Sequence, residues 1–140
     1  MINGLNTEYN KHSLMTILYA DDDLDDRELV TEALMTIDPS ISCVSVCDGR
    51  QLINMLKRTE QLPDLILLDI NMPVMDGREC LIEVKKDLRF REVPIIVYST
   101  TDNLNEIGLF YKLGAMFMRK PNSFKELCDS LMKVLRNYRA

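Results

Sequence analysis

Leu65-Ile66-Leu67-Leu68-Asp69 is the stretch that decides the fold. Four aliphatic residues without polar alternation, followed at once by a carboxylate, read as a strand covered on both faces, as in a parallel sheet between helices. Runs of similar length lie on either side of it, at Leu14–Ala20, Ile41–Cys47, Pro94–Ser99 and Ala115–Arg119. Between them the hydrophobic period changes to that of a helix. The stripes are Leu29, Ala33, Leu34 and Ile37, then Leu52, Ile53 and Leu56, then Leu81, Val84 and Leu88, then Leu104, Ile107 and Tyr111. The last is Phe124, Leu127, Leu131, Val134, Leu135 and Tyr138. Asp102 and Ser123 are placed as helix N-caps, and Gly114 falls where a helix should stop. The order is β then α, five times over, which implies one five-stranded parallel sheet with helices on both faces and right-handed crossovers.

A chain of 140 residues with 46% hydrophobic and 28% charged residues suits one globular domain. Residues 1–13 read as a polar tail and residues 14–140 as the domain. The chain ends about where the fifth helix should end, so no output domain is expected. No apolar run approaches the roughly 18 residues of a membrane span, and the polar start lacks a secretory signal. Both point to the cytoplasm and to no membrane contact. A net charge of −5 argues against nucleic acid, which calls for a basic patch. Cys43, Cys47, Cys80 and Cys128 have no metal-ligand spacing, and Cys43 and Cys47 read as small buried hydrophobes of a strand.

The polar residues at the strand ends carry the chemistry. In open parallel sheets ligands bind beyond the carboxyl ends of the strands, at the point where strand order reverses. The first strand ends in Asp21-Asp22-Asp23, the third in Asp69, the fourth in Ser99-Thr100-Thr101 and the fifth in Arg119-Lys120-Pro121. Asp21, Asp22 and Asp69 brought together would repel one another, by roughly 4 kcal/mol per pair at about 4 Å and an effective dielectric of 20. Lys120 alone supplies too little charge to offset this. A hard divalent cation answers the need, and Mg²⁺ commonly binds through one or two carboxylates and a phosphate oxygen. The backbone carbonyl of Asn71, two residues beyond Asp69, could add another oxygen. With a metal present, Asp69 is a plausible nucleophile toward a phosphoryl group, forming an acyl phosphate. The Lys120 ammonium and the Ser99 hydroxyl fit the task of neutralising and orienting the phosphoryl oxygens.

Ile17-Leu18-Tyr19-Ala20-Asp21-Asp22, Leu67-Leu68-Asp69-Ile70-Asn71-Met72-Pro73-Val74-Met75-Asp76-Gly77, Ser99-Thr100 and Lys120-Pro121, in that order, resemble bacterial response-regulator receiver domains. Met75-Asp76-Gly77-Arg78-Glu79 and Phe90-Arg91-Glu92-Val93-Pro94 look most like the single-domain regulators paired with phytochrome-type kinases. The resemblance implies a flavodoxin-like (βα)5 receiver fold and a two-component switch phosphorylated on Asp69 by a sensor histidine kinase, with slow self-dephosphorylation and no other enzymatic activity. It implies Mg²⁺, with Mn²⁺ able to substitute, held by Asp21, Asp22, Asp69 and the Asn71 carbonyl. Ser99 is then the switch hydroxyl and Phe117 the switch aromatic, where many members have tyrosine. Lys120 would hold the phosphoryl group beside a cis bond to Pro121. Asn71 and Thr101 would face the hydrolytic water. The output would be a changed surface near the fourth strand, fourth helix and fifth helix, read by an unnamed protein partner or a second copy.

Other readings are weaker. Asp21, Asp23, Asp25 and Glu32 match positions 1, 3, 5 and 12 of a calcium loop, but Asp26 stands where that loop needs glycine. Asp23, Asp25 and Asp26 are better read as first-turn residues favoured by a helix dipole. Met72 and Met75 read as loop packing. An aspartyl-nucleophile phosphatase usually has a second acid two residues after the nucleophile, where this chain has Asn71. A flavin binder would need a glycine-rich phosphate loop after the first strand, which is absent.

Overall fold

A computed structural model describes residues 15–139. The expected tail at 1–13, and Leu14, lie outside the described residues. The elements alternate as β1 (Thr16–Ala20), α1 (Leu24–Ile37), β2 (Ser42–Val46), α2 (Gly49–Arg58), β3 (Leu65–Leu68), α3 (Gly77–Lys86), β4 (Ile95–Ser99), α4 (Leu104–Lys112), β5 (Met116–Arg119) and α5 (Phe124–Arg139). All strands pair in parallel, in the order β2-β1-β3-β4-β5. Among the described residues no helix is long and apolar enough to cross a membrane.

The all-apolar strands are explained by two cores, one on each face. Leu18, Ala20, Ile66, Leu68, Ile95 and Val97 face one core, which takes in residues of α2, α3 and Phe110 of α4. Their neighbours Ile17, Tyr19, Leu65, Leu67, Ile96 and Tyr98 face the other, with Val30, Ala33 and Leu34 of α1 and Leu127, Leu131 and Leu135 of α5. Side chains that alternate along a strand therefore all find apolar cover. Met72 and Met75 join the first core as packing residues.

Several helix faces differ from the sequence expectation. Leu29 is exposed and Val30 takes the buried place in α1. Leu88 lies beyond α3 and is exposed. In α4, Leu104 and Tyr111 are exposed and Phe110 is the buried residue, so its core-facing stripe is much narrower than the periodicity suggested. Asn103, not Asp102, caps α4, accepting from the N–H groups of Asn105 and Glu106. Cys43 is half-buried and Cys47 exposed, because β2 is an edge strand. Ser123 does cap α5, its hydroxyl accepting from Glu126 N–H at 3.1 Å. Gly114, at φ 90°, ends α4 with the paired bonds Gly114 N–H to Tyr111 and Ala115 N–H to Phe110, a terminus that favours glycine.

Among the described residues Val74 is the other one with positive φ, at 65°, and it is 81% exposed. The N–H of Met75 reaches back to the Pro73 carbonyl at 2.6 Å, closing a three-residue turn around it. A β-branched residue there is strained, by about 1–2 kcal/mol. Replacing it with glycine loses little packing but adds unfolded-state entropy. Val74→Gly should therefore raise stability by about 0.5–1 kcal/mol in urea unfolding; a loss of stability would show that the turn is unstrained.

Candidate functional site

The reversal of strand order lies between β1 and β3, so the residues that follow those strands share one edge of the sheet. Ala20 is in register with Leu68, and the Asp69 N–H continues the ladder to the Ala20 carbonyl at 2.9 Å. Asp21 and Asp69 thus emerge side by side. Gly77 tightens this corner. Its N–H meets the Ile70 carbonyl at 2.8 Å, and a Cβ there would lie 2.3 Å from the Asp69 carbonyl oxygen. Only glycine lets the start of α3 press this closely on the Asp69 loop.

Asp21, Asp22 and Asp69 can each offer a carboxylate oxygen with all three within 4.8 Å of one another. Asp21 is fully buried and Asp69 is 6% exposed, while Asp22 opens to solvent. Asp21 is closely held. Its Oδ2 accepts from the Tyr19 hydroxyl at 2.7 Å and from Lys120 Nζ at 3.0 Å, and its Oδ1 accepts from the Asp23 N–H at 3.0 Å. The Arg27 guanidinium bonds the Asp21 carbonyl. Lys120 also reaches Asp26 at 2.8 Å and Asp69 at 3.6 Å, and its ammonium lies 5.1 Å from the centre of the Tyr98 ring.

The charges do not balance. Burial first, then the charge of Asp21, pushes the Asp69 carboxyl up to about 7, against the pull of Lys120 and of the Ile70 N–H. Burial pulls Lys120 down, but its bond to Asp26 and the charges of Asp21 and Asp69 hold it above the usual lysine range. An all-oxygen donor set, open to solvent at Asp22 and short of positive charge, fits a hard divalent cation. Among the described residues no donor meets the Asn71 carbonyl, which leaves that oxygen available to such an ion.

The Ser99 hydroxyl is buried and accepts from the Thr101 N–H at 3.2 Å. Among the described residues its own hydrogen has no acceptor. Thr101 donates its hydroxyl to Glu106 Oε2 at 3.0 Å, and Arg78 pairs with the other oxygen of Glu106. Phe117 is half-buried, stacked on Phe110 with ring centres 6.3 Å apart. The expected cis bond at Lys120–Pro121 is corrected: among the described residues no peptide bond is cis. Trans is the intrinsically favoured form even before proline, and Lys120 reaches its carboxylates with it.

Sequence reading missed Tyr19, Asp26, Arg78 and Glu106. Tyr19 was detectable, because it stands two residues before Asp21 and period-two alternation puts both on one face. Asp26 does lie in the first turn of α1, capped by Asp23, but it also takes Lys120, a partner 94 residues away.

Residues 17–132 match the response regulator receiver domain family. The response regulator Rcp1 of Synechocystis is 31% identical over 117 residues, which is 79% of this chain and 80% of Rcp1. Among solved structures, the phosphorylated cyanobacterial phytochrome response regulator RcpA matches with a TM-score of 0.81 at 30% identity, over 89% of this chain and 93% of RcpA. The Mn²⁺-bound form of Rcp1 matches with a TM-score of 0.72 at 30% identity, over 88% of this chain and 90% of that one. The chain spans half or less of the length of several other curated relatives.

A carboxyl that holds its proton more tightly folded than unfolded opposes folding once it ionises. For Asp69 this means that metal-free stability falls as pH rises from about 4 through about 7. Asp69→Asn should then stabilise the metal-free protein by about 1–2 kcal/mol at pH 8, with the gain gone at pH 4, in urea unfolding with chelator present. A destabilised variant at pH 8 would contradict this.

Proposed function

Because the chain belongs to the response regulator receiver domain family, we propose that it is a phosphorylation switch whose acceptor is Asp69, phosphorylated by a sensor histidine kinase. One observation carries the assignment: Asp69 is a nearly buried carboxylate with too little positive charge around it, 3.6 Å from the Lys120 ammonium, on the sheet edge where β4 ends in the buried Ser99. The likeness to RcpA, a cyanobacterial phytochrome response regulator, supports a kinase of the phytochrome type.

In this reading one oxygen of Asp69 attacks phosphorus in line. The bond from phosphorus to the kinase imidazole nitrogen breaks as the acyl phosphate forms, and the nitrogen keeps the electron pair. Lys120 pairs with a phosphoryl oxygen, and Ser99 gives another the hydrogen that has no acceptor within the described protein. Asp21, Asp22, Asp69 and the Asn71 carbonyl would hold Mg²⁺, with Asp21 also held in place by Tyr19 and the Asp23 N–H. The ion, when bound, supplies the charge neutralisation that in-line phosphoryl transfer needs. Mn²⁺ could take the same place, as the Mn²⁺-bound Rcp1 relative suggests. Asn71 and Thr101 flank the path of the water that later hydrolyses the acyl phosphate. A phosphoryl group adds about −1.5 to −2 charge units, drawing Ser99 and its loop inward. Phe117 would follow by packing alone, since it has no hydroxyl. The altered surface was expected near the fourth strand, but β4 is buried along its whole length and β5 is the edge strand beside it. The face we assign is therefore α4–β5–α5, where Leu104, Tyr111 and Met116 are exposed to a protein partner or a second copy. Self-phosphorylation and slow hydrolysis are the only chemistry required, and Asn71, an amide, disfavours a phosphatase.

Acetyl phosphate with Mg²⁺ should add one phosphoryl group by intact mass, and chelator should prevent it. Asp69→Asn should abolish the addition. Ser99→Ala should slow it roughly tenfold, the cost of one hydrogen bond to a charged group. A labile phosphate that persists in Asp69→Asn would exclude Asp69 as the acceptor.

A further inference from the structure

Two loops flank Asp69, and one carboxylate joins them. Glu106, in the first turn of α4, has its side chain 23% exposed. It pairs through Oε1 with Arg78, the second residue of α3, and its Oε2 accepts from the Thr101 hydroxyl. Its own N–H is held by Asn103 Oδ1 at 3.1 Å. Thr101 Oγ1 in turn accepts from the Asn103 N–H at 3.2 Å, while the Thr101 N–H binds Ser99 Oγ. At the other end, Arg78 follows Gly77, the residue pressed against the Asp69 carbonyl. A continuous chain of contacts therefore runs from Asp69 through Gly77, Arg78, Glu106 and Thr101 to Ser99.

An ordinary surface ion pair would contribute little. This one differs in what it ties down. Residues 100–103 lie outside the helices and strands, so their conformation rests on side-chain bonds, and Glu106 supplies the bond that anchors the Thr101 hydroxyl to another element. With Thr101 fixed, its N–H occupies a lone pair on Ser99 Oγ and leaves the Ser99 hydrogen free to be donated. We propose that Arg78 and Glu106 are positioning residues for phosphoryl transfer: through Thr101 they orient the Ser99 hydroxyl before the phosphoryl group arrives. This rests on the reading of Asp69 as acceptor. The benefit is preorganisation, since a donor already aimed needs no rearrangement in the transition state.

The test compares the whole protein with Glu106→Ala, Glu106→Gln and Arg78→Ala, using acetyl phosphate and Mg²⁺ and reading initial rates by intact mass. Glu106→Ala should lower the rate at saturating acetyl phosphate about fivefold to tenfold, with the half-saturating Mg²⁺ concentration unchanged. Glu106→Gln still offers Thr101 an acceptor and should recover most of that loss, and Arg78→Ala should fall between them. In a Ser99→Ala background Glu106→Ala should cost nothing further, because both act through one hydroxyl. Hydrogen exchange supplies a readout independent of phosphorylation: the Thr101 amide should exchange faster in Glu106→Ala and not in Glu106→Gln. Wild-type rates in Glu106→Ala, or an equal loss with and without Ser99, would overturn the proposal. An unphosphorylated wild type would instead overturn the acceptor reading. A Thr101 amide unaffected by Glu106→Ala would remove the brace itself.

Discussion

The Lys120 ammonium lies 2.8 Å from Asp26, 3.0 Å from Asp21 and 3.6 Å from Asp69. One cation thus serves three carboxylates that come from the ends of two strands and from a helix. Asp22 adds a fourth, and among the described residues no ammonium pairs with it. The deficit has a definite consequence: it falls on Asp69, the carboxyl that burial and Asp21 push up to about 7. Asp21 is secured by three donors, so the repulsion is relieved most readily by protonating Asp69 or by bringing in further positive charge. A site of this kind is incomplete by construction, and both a divalent cation and a phosphoryl group bound by Lys120 fit what it lacks.

The sheet makes this concentration of charge tolerable. Five parallel strands with apolar residues on both faces leave their polar residues to the ends, and the reversal at β1 opens the edge where those ends converge. Close packing then carries the site outward. Gly77 seats α3 directly on the Asp69 carbonyl, and Tyr19 extends from the opposite core to fix Asp21. The strained turn at Val74 lies in the same loop that begins at Asp69. That loop runs into α3, whose Arg78 is tied through Glu106 to Thr101 of the β4–α4 loop, so the segments that follow β3 and β4 are linked to each other.

The sequence made some of this legible and hid the rest for physical reasons. The strands were readable because burial on both faces leaves an unbroken apolar run, and Asp21, Asp22, Asp69 and Lys120 because each directly follows such a run. The helix faces were less readable. Leu104 and Tyr111 carry the right period in α4, yet the helix presents Phe110 to the core, and periodicity alone does not choose between adjacent stripes. Arg78 and Glu106 are 28 residues apart, and nothing local marks them as partners. Positive φ at Val74 runs against the preference of a β-branched residue, and the Lys120–Pro121 bond was expected in a conformation that the backbone does not adopt.

The shortage of positive charge around Asp69 can be measured directly, by following its side-chain carboxyl carbon through a pH titration by NMR. Burial, together with the charge of Asp21, predicts a midpoint near 7 in the metal-free protein, and a fall of at least two pH units when Mg²⁺ is saturating, since a bound cation favours the ionised form. A midpoint near the ordinary aspartate value of about 4, unmoved by Mg²⁺, would contradict the account.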